Sequence, residues 1–341
     1  MSYGTDKYTY ELVDRWAKLP EGWSFMDVCG ITVDSQDRVY VVNRSGCWGR
    51  VPGHPVMVFD CEGNLLTTWG EGFFKRTHGG YASPDDSIYI ADDYRHVVCK
   101  FTLEGKLLLT LGNIDHPSDT GYVKYYEPSD DPESKIRSGG SVKSVATIRG
   151  GPPFNRPTNA ALDPTGEIYV SDGYGNCKVH KFSSDGTLLL SWGEPGTSTP
   201  GQFNVVHDVW VDKQEYVYVA DRENNRVQIF NSEGEFLSQW TDVTRPNGIF
   251  MDDEGVVYIA EGKSKQSART PGKVSIWTSD GKLLARWQGS QQEEIKESPL
   301  FGSPHTIAVD SRGDIYVGEN YWTNWRVDQG SRAVQKFVRK V

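Results

Sequence analysis

The chain has 341 residues, and its 36 Lys and Arg against 46 Asp and Glu leave a net charge of −10, which argues against a nucleic-acid backbone or an anionic membrane surface as partner. A small-molecule ligand is expected instead. The five cysteines, Cys29, Cys47, Cys61, Cys99 and Cys177, are an odd number without CxxC spacing, so reduced thiols are expected rather than a disulfide framework or a thiol zinc site. No apolar run approaches the roughly 18 residues of a membrane helix, and MSYGTDKYTYELVDRW lacks the basic start and apolar stretch of a signal peptide; the chain reads as cytosolic.

Along the chain, Arg38-Val-Tyr-Val-Val-Asn43 is the first copy of a segment that returns as Ser87-Ile-Tyr-Ile-Ala-Asp92, Glu167-Ile-Tyr-Val-Ser-Asp172, Tyr216-Val-Tyr-Val-Ala-Asp221, Val256-Val-Tyr-Ile-Ala-Glu261 and Asp314-Ile-Tyr-Val-Gly-Glu319. Each follows a short apolar strand and a turn, and most precede an alternating strand such as Arg226-Val-Gln-Ile-Phe230 and then one such as Leu188-Leu-Leu-Ser-Trp192. Period-2 alternation bounded by Asp and Gly turns marks strands, and four strands repeating about every 40–50 residues mark a propeller. The expected fold is an all-β, six-bladed β-propeller of NHL-like repeats, one domain over residues 1–341. The sixth copy stops after its third strand, Val334-Gln-Lys-Phe-Val338. Tyr10–Trp16 has the spacing of Lys282–Trp287, so the N-terminal strand is expected to complete the last blade and close the ring. Residues 113–156, rich in Pro, Ser, Asp and Gly, read as an insertion without strand period, a lid or loop rather than a seventh blade.

Aligned by the residue that ends each inner strand (Asp34, Ser83, Asp163, Asp212, Asp252, Asp310), the position five residues upstream is Cys29, His78, Thr158, His207, Asn247 and His305. Seven His in 341 residues would place about 0.1 in such a column by chance; it holds three, on alternate copies. In a closed ring these stand about 120° apart at the start of the channel-lining strands. Three imidazoles then meet at one point, which suits Zn²⁺ with a position left open for water or substrate; Fe, Co, Ni and Cu accept the same ligands. Cys29 is expected as a lining residue. The other histidines are expected to be structural, with His96 and His180 in third strands, His54 in the blade-one loop and His116 in the insertion.

The acids that end the second strands (Asp92, Asp172, Asp221, Glu261, Glu319, with Asn43 in the same register) read as turn-formers that accept backbone N–H groups. The residues after them differ by blade. Arg44 and Arg222 share one register on opposite blades, and blade three offers Tyr174. Guanidinium forks suit a carboxylate, so Arg44 and Arg222 are the expected substrate-binding residues.

The run Pro157–Asn176, with Ser191-Trp-Gly-Glu194, Pro200-Gly-Gln-Phe203 and Ala220–Phe230, resembles peptidyl-α-hydroxyglycine α-amidating lyase, a six-bladed NHL-type propeller. The resemblance implies zinc held by His78, His207 and His305, a catalytic tyrosine at Tyr174 within SDGY, and a catalytic, substrate-binding arginine at Arg44; Arg222 stands in the family's DREN motif. It also implies a structural Ca²⁺ near the axis, for which the family uses an Asp after the third histidine, where this chain has Thr306. Bacterial chains similar to this lyase share Gly150-Gly-Pro-Pro-Phe-Asn-Arg-Pro-Thr-Asn159, so a bacterial-type member with a non-peptide substrate is expected. The implied activity is metal-dependent cleavage of the C–N bond of a carbinolamide, releasing an amide and glyoxylate or a related aldehyde. The alternatives are a hydrolase or lactonase on the same metal and a non-enzymatic NHL scaffold that binds a protein.

Overall fold

The computed structural model describes residues 2–44, 53–127, 141–145, 147–263, 270–289 and 300–340; Cys47 and part of the insertion lie outside them. Six antiparallel sheets stand around one axis. Blade one is built from Val28–Val33, Val39–Asn43, Val56–Phe59 and Leu65–Trp69, and blade two from Thr77–Ser83, Ser87–Asp92, Val97–Thr102 and Leu107–Gly112. Blade three runs from Pro157–Leu162 to Leu188–Trp192, blade four from Val206–Val211 to Phe236–Trp240, and blade five from Pro246–Met251 to Leu283–Gln288. Blade six takes Pro304–Val309, Ile315–Glu319 and Val334–Arg339 from the C-terminal end and Tyr8–Val13 from the N-terminal end. The expected closure is present: Tyr10 pairs with Arg339 and Val13 with Lys336. A further strand, Ser2–Thr5, extends this blade to five and was not anticipated from sequence.

The repeated motif explains each blade. The Asp that ends an inner strand accepts backbone N–H groups two and four residues on, as Asp212 does from Gln214 (2.8 Å) and Tyr216 (2.9 Å), which fixes the turn into the second strand. The motif tyrosine then returns its hydroxyl to the same carboxylate, Tyr218 to Asp212 at 3.2 Å and Tyr316 to Asp310 at 3.0 Å. These tyrosines are buried between neighbouring blades with Val, Ile and Phe from both sheets, for example Trp16, Ile31, Val41, Phe59, Ala308 and Tyr316 between blades six and one. At roughly 1.5–3 kcal/mol per fully buried large apolar side chain, each interface adds to the closure of the ring.

The acids ending the second strands are turn-formers, as expected. Asp172 accepts the N–H of Asn155 (3.0 Å), Asp221 that of Asn204 (2.8 Å) and Glu261 that of Thr244 (2.7 Å), tying each incoming connection to its blade. The insertion departs from expectation. Val123–Glu127 and Ser141–Val145 pair as an antiparallel hairpin outside the ring, and no seventh blade forms from them. Its first turn is pinned to blade three by Thr120, whose hydroxyl donates to the Gly175 carbonyl, and it closes on its own far end with Ser118 N–H on the Phe154 carbonyl at 3.0 Å. His96 also differs from the reading: it sits in the turn before the strand Val97–Thr102, at φ 59°, and its Nδ1 accepts the Arg156 N–H at 3.1 Å.

Candidate metal and substrate site

Each inner strand begins with an irregularity in its pairing to the second strand. In blade four Val206 pairs with Asp221 and Asp208 with Ala220, so His207 is the unpaired extra residue; in blade six Pro304 and Thr306 flank an unpaired His305. Cys29, Thr158 and Asn247 are the bulged residues of the odd blades, and in blade two the irregularity spans His78 and Gly79. A β-bulge re-aims a side chain that would otherwise alternate with the pleat. Here it does so six times in one register, at the mouth of the channel.

The three histidines meet on the axis. Their rings lie 4.8–4.9 Å apart, centroid to centroid, all three are buried, and their ligating nitrogens fall within 4.8 Å of one another. The odd blades orient them: His78 Nδ1 meets the Thr158 carbonyl (2.7 Å), His207 Nδ1 the Asn247 carbonyl (2.7 Å) and His305 Nδ1 the Cys29 carbonyl (3.1 Å). A carbonyl only accepts, so each Nδ1 carries the proton and each Nε2 presents a lone pair to the centre. Burial and nearby guanidinium groups hold all three well below the usual histidine range, so they remain neutral. Burial ranks first in each case. His78 also feels His305 and His207.

Tyr174 completes the cluster. Its hydroxyl lies 3.0 Å from Nε2 of both His78 and His207. A phenol has one proton to donate, so it satisfies one of these lone pairs and leaves the other facing oxygen; His305 Nε2 is buried with no hydrogen-bond partner at all. Three converging lone pairs served by one proton fit a divalent cation. Gly173 makes the placement possible: a Cβ there would fall 2.0 Å from the Val206 carbonyl, so only glycine lets this loop close against the residue preceding His207. The layer beneath does not fit a Ca²⁺ site. Asp208 carries its one carboxylate, already bonded to Asn159 (2.6 Å) and the N–H groups of Val209 and Ile249, and Thr306 Oγ1 accepts the Ile31 N–H, whereas Ca²⁺ takes six to eight oxygens.

Above the histidines opens a cavity of about 300 Å³, lined by Arg44, Tyr174, Arg222 and His305 together with Arg76, Tyr122, Arg156 and Arg245. The sequence-selected arginines are therefore both on its wall. Arg44 is buried, donating from Nε to the Thr77 carbonyl at 3.0 Å, and Arg222 Nη1 reaches the Tyr174 hydroxyl at 3.4 Å. The other three were missed. Arg76, Arg156 and Arg245 each stand two residues before the histidine column, and the register alignment that revealed the histidines would have revealed them. Asp93 pairs with Arg76 (3.5 Å) and Arg156 (2.8 Å), and Glu223 with Arg222 (2.9 Å) and Arg245 (2.7 Å). Burial opposes ionisation of Asp93, yet Arg76, Arg156 and Arg44 together hold its carboxyl below the usual range. Tyr122 brings the insertion into the wall, its hydroxyl accepting from Arg156 Nη1 at 2.9 Å. Cys29 takes part through its carbonyl, while its thiol contacts Asn320 Oδ1 at 3.6 Å. His180 is structural, held by Asp172 (3.2 Å) and Ser191 (2.7 Å), and His54 stacks on Trp23.

Ring and cluster together define a six-bladed propeller with a metal-competent centre at one mouth, and the NHL repeat model matches two stretches of it, residues 154–182 and 203–230. Over 320 residues the chain is 28% identical to peptidyl-glycine alpha-amidating monooxygenase B of Xenopus laevis, an alignment covering 90% of this chain and 32% of that protein. It is also 28% identical to peptidyl-alpha-hydroxyglycine alpha-amidating lyase 1 of Drosophila melanogaster over 278 residues, 75% of this chain and 45% of that one. NHL repeat-containing protein 3 of Homo sapiens matches at 28% identity over 99% of this chain and 86% of its own length. The chain thus carries NHL repeats and is related to the amidating lyases and monooxygenases, spanning about a third of the length of the Xenopus protein. Among solved structures, a gluconolactonase from Xanthomonas campestris superposes with a TM-score of 0.61 at 12% identity, covering 97% of this chain and 90% of that one; the likeness is one of fold. Among the described residues no helix is long and apolar enough to cross a membrane.

Proposed function

We propose that this chain is a metal-dependent carbon–nitrogen lyase acting on a carbinolamide, R–CO–NH–CH(OH)–COO⁻, to give R–CO–NH₂ and glyoxylate. The observation that carries the reading is the convergence of three buried imidazoles on one point, two of them with their Nε2 on the Tyr174 hydroxyl, in a chain related to amidating lyases. His78, His207 and His305 would hold the metal, with zinc the favoured ion. When bound, it supplies Lewis acidity that lowers the pKa of a hydroxyl at its open position. Arg44 and Arg222 would hold the substrate carboxylate and orient the carbinol carbon below them. Tyr174, entering the step as its phenolate beside Arg222, would take the carbinol proton on Oη as the C–O bond becomes C=O. The C–N bond breaks with its electron pair leaving on nitrogen, and Tyr174 returns the proton to that nitrogen. Atoms and charge balance without water.

The cavity wall favours a lyase over a hydrolase. No carboxylate is among its described lining residues, and the two nearby, Asp93 and Glu223, are each committed to two arginines, so a water has no carboxylate base to activate it. The substrate class is a small carbinolamide or ureidoglycolate-like compound of bacterial type rather than a peptide. Metal analysis of the purified protein, followed by glyoxylate assay on N-acyl-α-hydroxyglycines and ureidoglycolate, tests the proposal. Stoichiometric metal and metal-dependent glyoxylate release are expected. Lactone hydrolysis without glyoxylate release, or a protein that takes up no metal, would overturn it.

A further inference from the structure

The arginine rim carries more positive charge than one substrate carboxylate needs. Among the described residues five guanidinium groups line the cavity, and the carboxylates paired with them are two, Asp93 and Glu223. Three positive charges are left over. The surplus is visible in the groups themselves: Arg44 Nη2, Arg156 Nε and Arg245 Nε are buried without a hydrogen-bond partner, although Arg44 and Arg156 are only 1% and 6% exposed. A buried charged donor left unpaired is costly, so an arrangement with three of them is built for something that supplies acceptors. Burial and the neighbouring Arg222 also push Arg245 below its usual value, and Lys263 follows under burial and Arg245.

The rim has two separate clamps. Arg76 and Arg156 share Asp93 and both stack on Tyr94, at 4.8 and 5.0 Å, on the blade-two and blade-three side. Arg222 and Arg245 share Glu223 on the blade-four and blade-five side. Arg156 and Arg222 both lie against the Tyr174 ring, at 5.5 and 5.3 Å, so the reacting centre is placed between the clamps. One carboxylate beside the carbinol carbon occupies one region of this rim and leaves the rest unmatched.

We propose that the substrate is a dianion: besides the carboxylate next to the carbinol it carries a second anionic group, carboxylate or phosphate, on its acyl side, held by the clamp the first carboxylate does not use. This rests on the lyase reading for the first carboxylate. A cavity of about 300 Å³ admits such a compact molecule, and a neutral peptide chain would leave the second clamp empty. Guanidinium forks match both carboxylate and phosphate oxygens, so the rim selects charge and the reach between charges.

Calorimetric titration of the metal-loaded protein with butyrate, succinate and 3-phosphonopropionate tests the second subsite without turnover. Succinate or 3-phosphonopropionate is expected to bind at least 30-fold tighter than butyrate, with a steeper loss of affinity as salt rises; whichever of the two is stronger identifies the second group. Arg76→Gln and Arg156→Gln, in the clamp away from Arg222, are expected to reduce that preference at least fivefold, and Arg76→Lys to recover part of it. Wild-type affinities for mono- and dianions within threefold of each other would overturn the proposal whatever the variants do. N-acetyl- and N-succinyl-α-hydroxyglycine separate the two readings. Glyoxylate release from both at equal efficiency spares the lyase and removes the second subsite, whereas tight dianion binding without any glyoxylate release keeps the subsite and removes the lyase.

Discussion

The two mouths of the channel are built from the same repeat and differ in how their polar groups are spent. The mouth opposite the histidines holds the larger cavities, about 520 and 490 Å³, lined by the turns that follow the inner strands, with Asp163, Asp212, Asp252 and Asp310 among them. Most of those carboxylate oxygens are consumed locally, by backbone N–H groups and by the motif tyrosine, Asp163 Oδ2 being an exception. The histidine mouth has smaller cavities, about 430 and 300 Å³, but more unspent groups: one imidazole nitrogen and three guanidinium nitrogens without a hydrogen-bond partner, beside a phenol shared by two acceptors. Empty volume is therefore a poor guide in this molecule. Unspent hydrogen-bonding capacity in buried side chains is what separates a site from a dimple.

The sharpest way to break this contrast is His207→Ala. Its loss removes one Nε2 from the centre, and metal affinity is expected to fall on the order of 100-fold or more, with glyoxylate release reduced to background and the far-ultraviolet circular dichroism unchanged. Full metal occupancy in the variant would dissociate the histidines from the ion. Next in size, Tyr174→Phe should keep the metal and lower kcat by roughly 10²–10⁴-fold, the usual contribution of a positioned acid–base group; turnover within threefold of wild type would exclude the hydroxyl from proton transfer.

The pH response sharpens the comparison without chemistry. Burial pushes the Glu319 carboxyl at the histidine mouth up to about 8, against two backbone N–H groups that favour its charge. A raised carboxyl keeps its proton in the folded state while the unfolded chain ionises near 4.5, so stability is full below 4.5 and is lost as pH rises towards 8, by about 1 kcal/mol per pH unit. The histidines act in the opposite sense. Their depressed values make stability present above 6.5 and lost as pH falls below it, in the metal-free protein. Glu319→Gln should flatten the alkaline limb of unfolding midpoints measured from pH 5 to 8 and leave the acid limb; equal slopes in the two proteins would contradict the burial argument. Smallest is Asp212→Asn at the other mouth, expected to cost about 1–2 kcal/mol of stability through the Tyr218 and turn contacts, with glyoxylate release within twofold of wild type.

Register made the ring readable. The recurring Tyr motif fixed six blades, and the missing fourth strand of blade six pointed to Tyr8–Val13 because a strand edge must be paired somewhere. The histidine trio and the two arginines stood in columns of that repeat, whereas Tyr174 stands one place beyond the arginine column and its catalytic role came from the resemblance around SDGY. Arg76, Arg156 and Arg245 stand in the column two residues before the histidines, where an arginine near a turn has no chemical signature of its own until the fold turns it into the cavity. The bulges were hidden for a different reason: an extra residue in one strand leaves no composition signature, only a change in which residue faces the axis. The hairpin Val123–Glu127 with Ser141–Val145 was obscured by the Pro- and Ser-rich stretch around it, which broke the alternation on which strand reading depends.

The bulge at the head of every inner strand has an evolutionary consequence. A residue held out of the ladder owes nothing to the pairing of its sheet. The odd blades steer the imidazoles with main-chain carbonyls, and the side chains of Thr158 and Asn247 also bond the carbonyls of Val206 and Pro304, the residues just before His207 and His305. Six bulged positions around one axis thus work in alternation, three presenting ligands and three holding them, so a change of ligand set must respect the neighbouring blade as well.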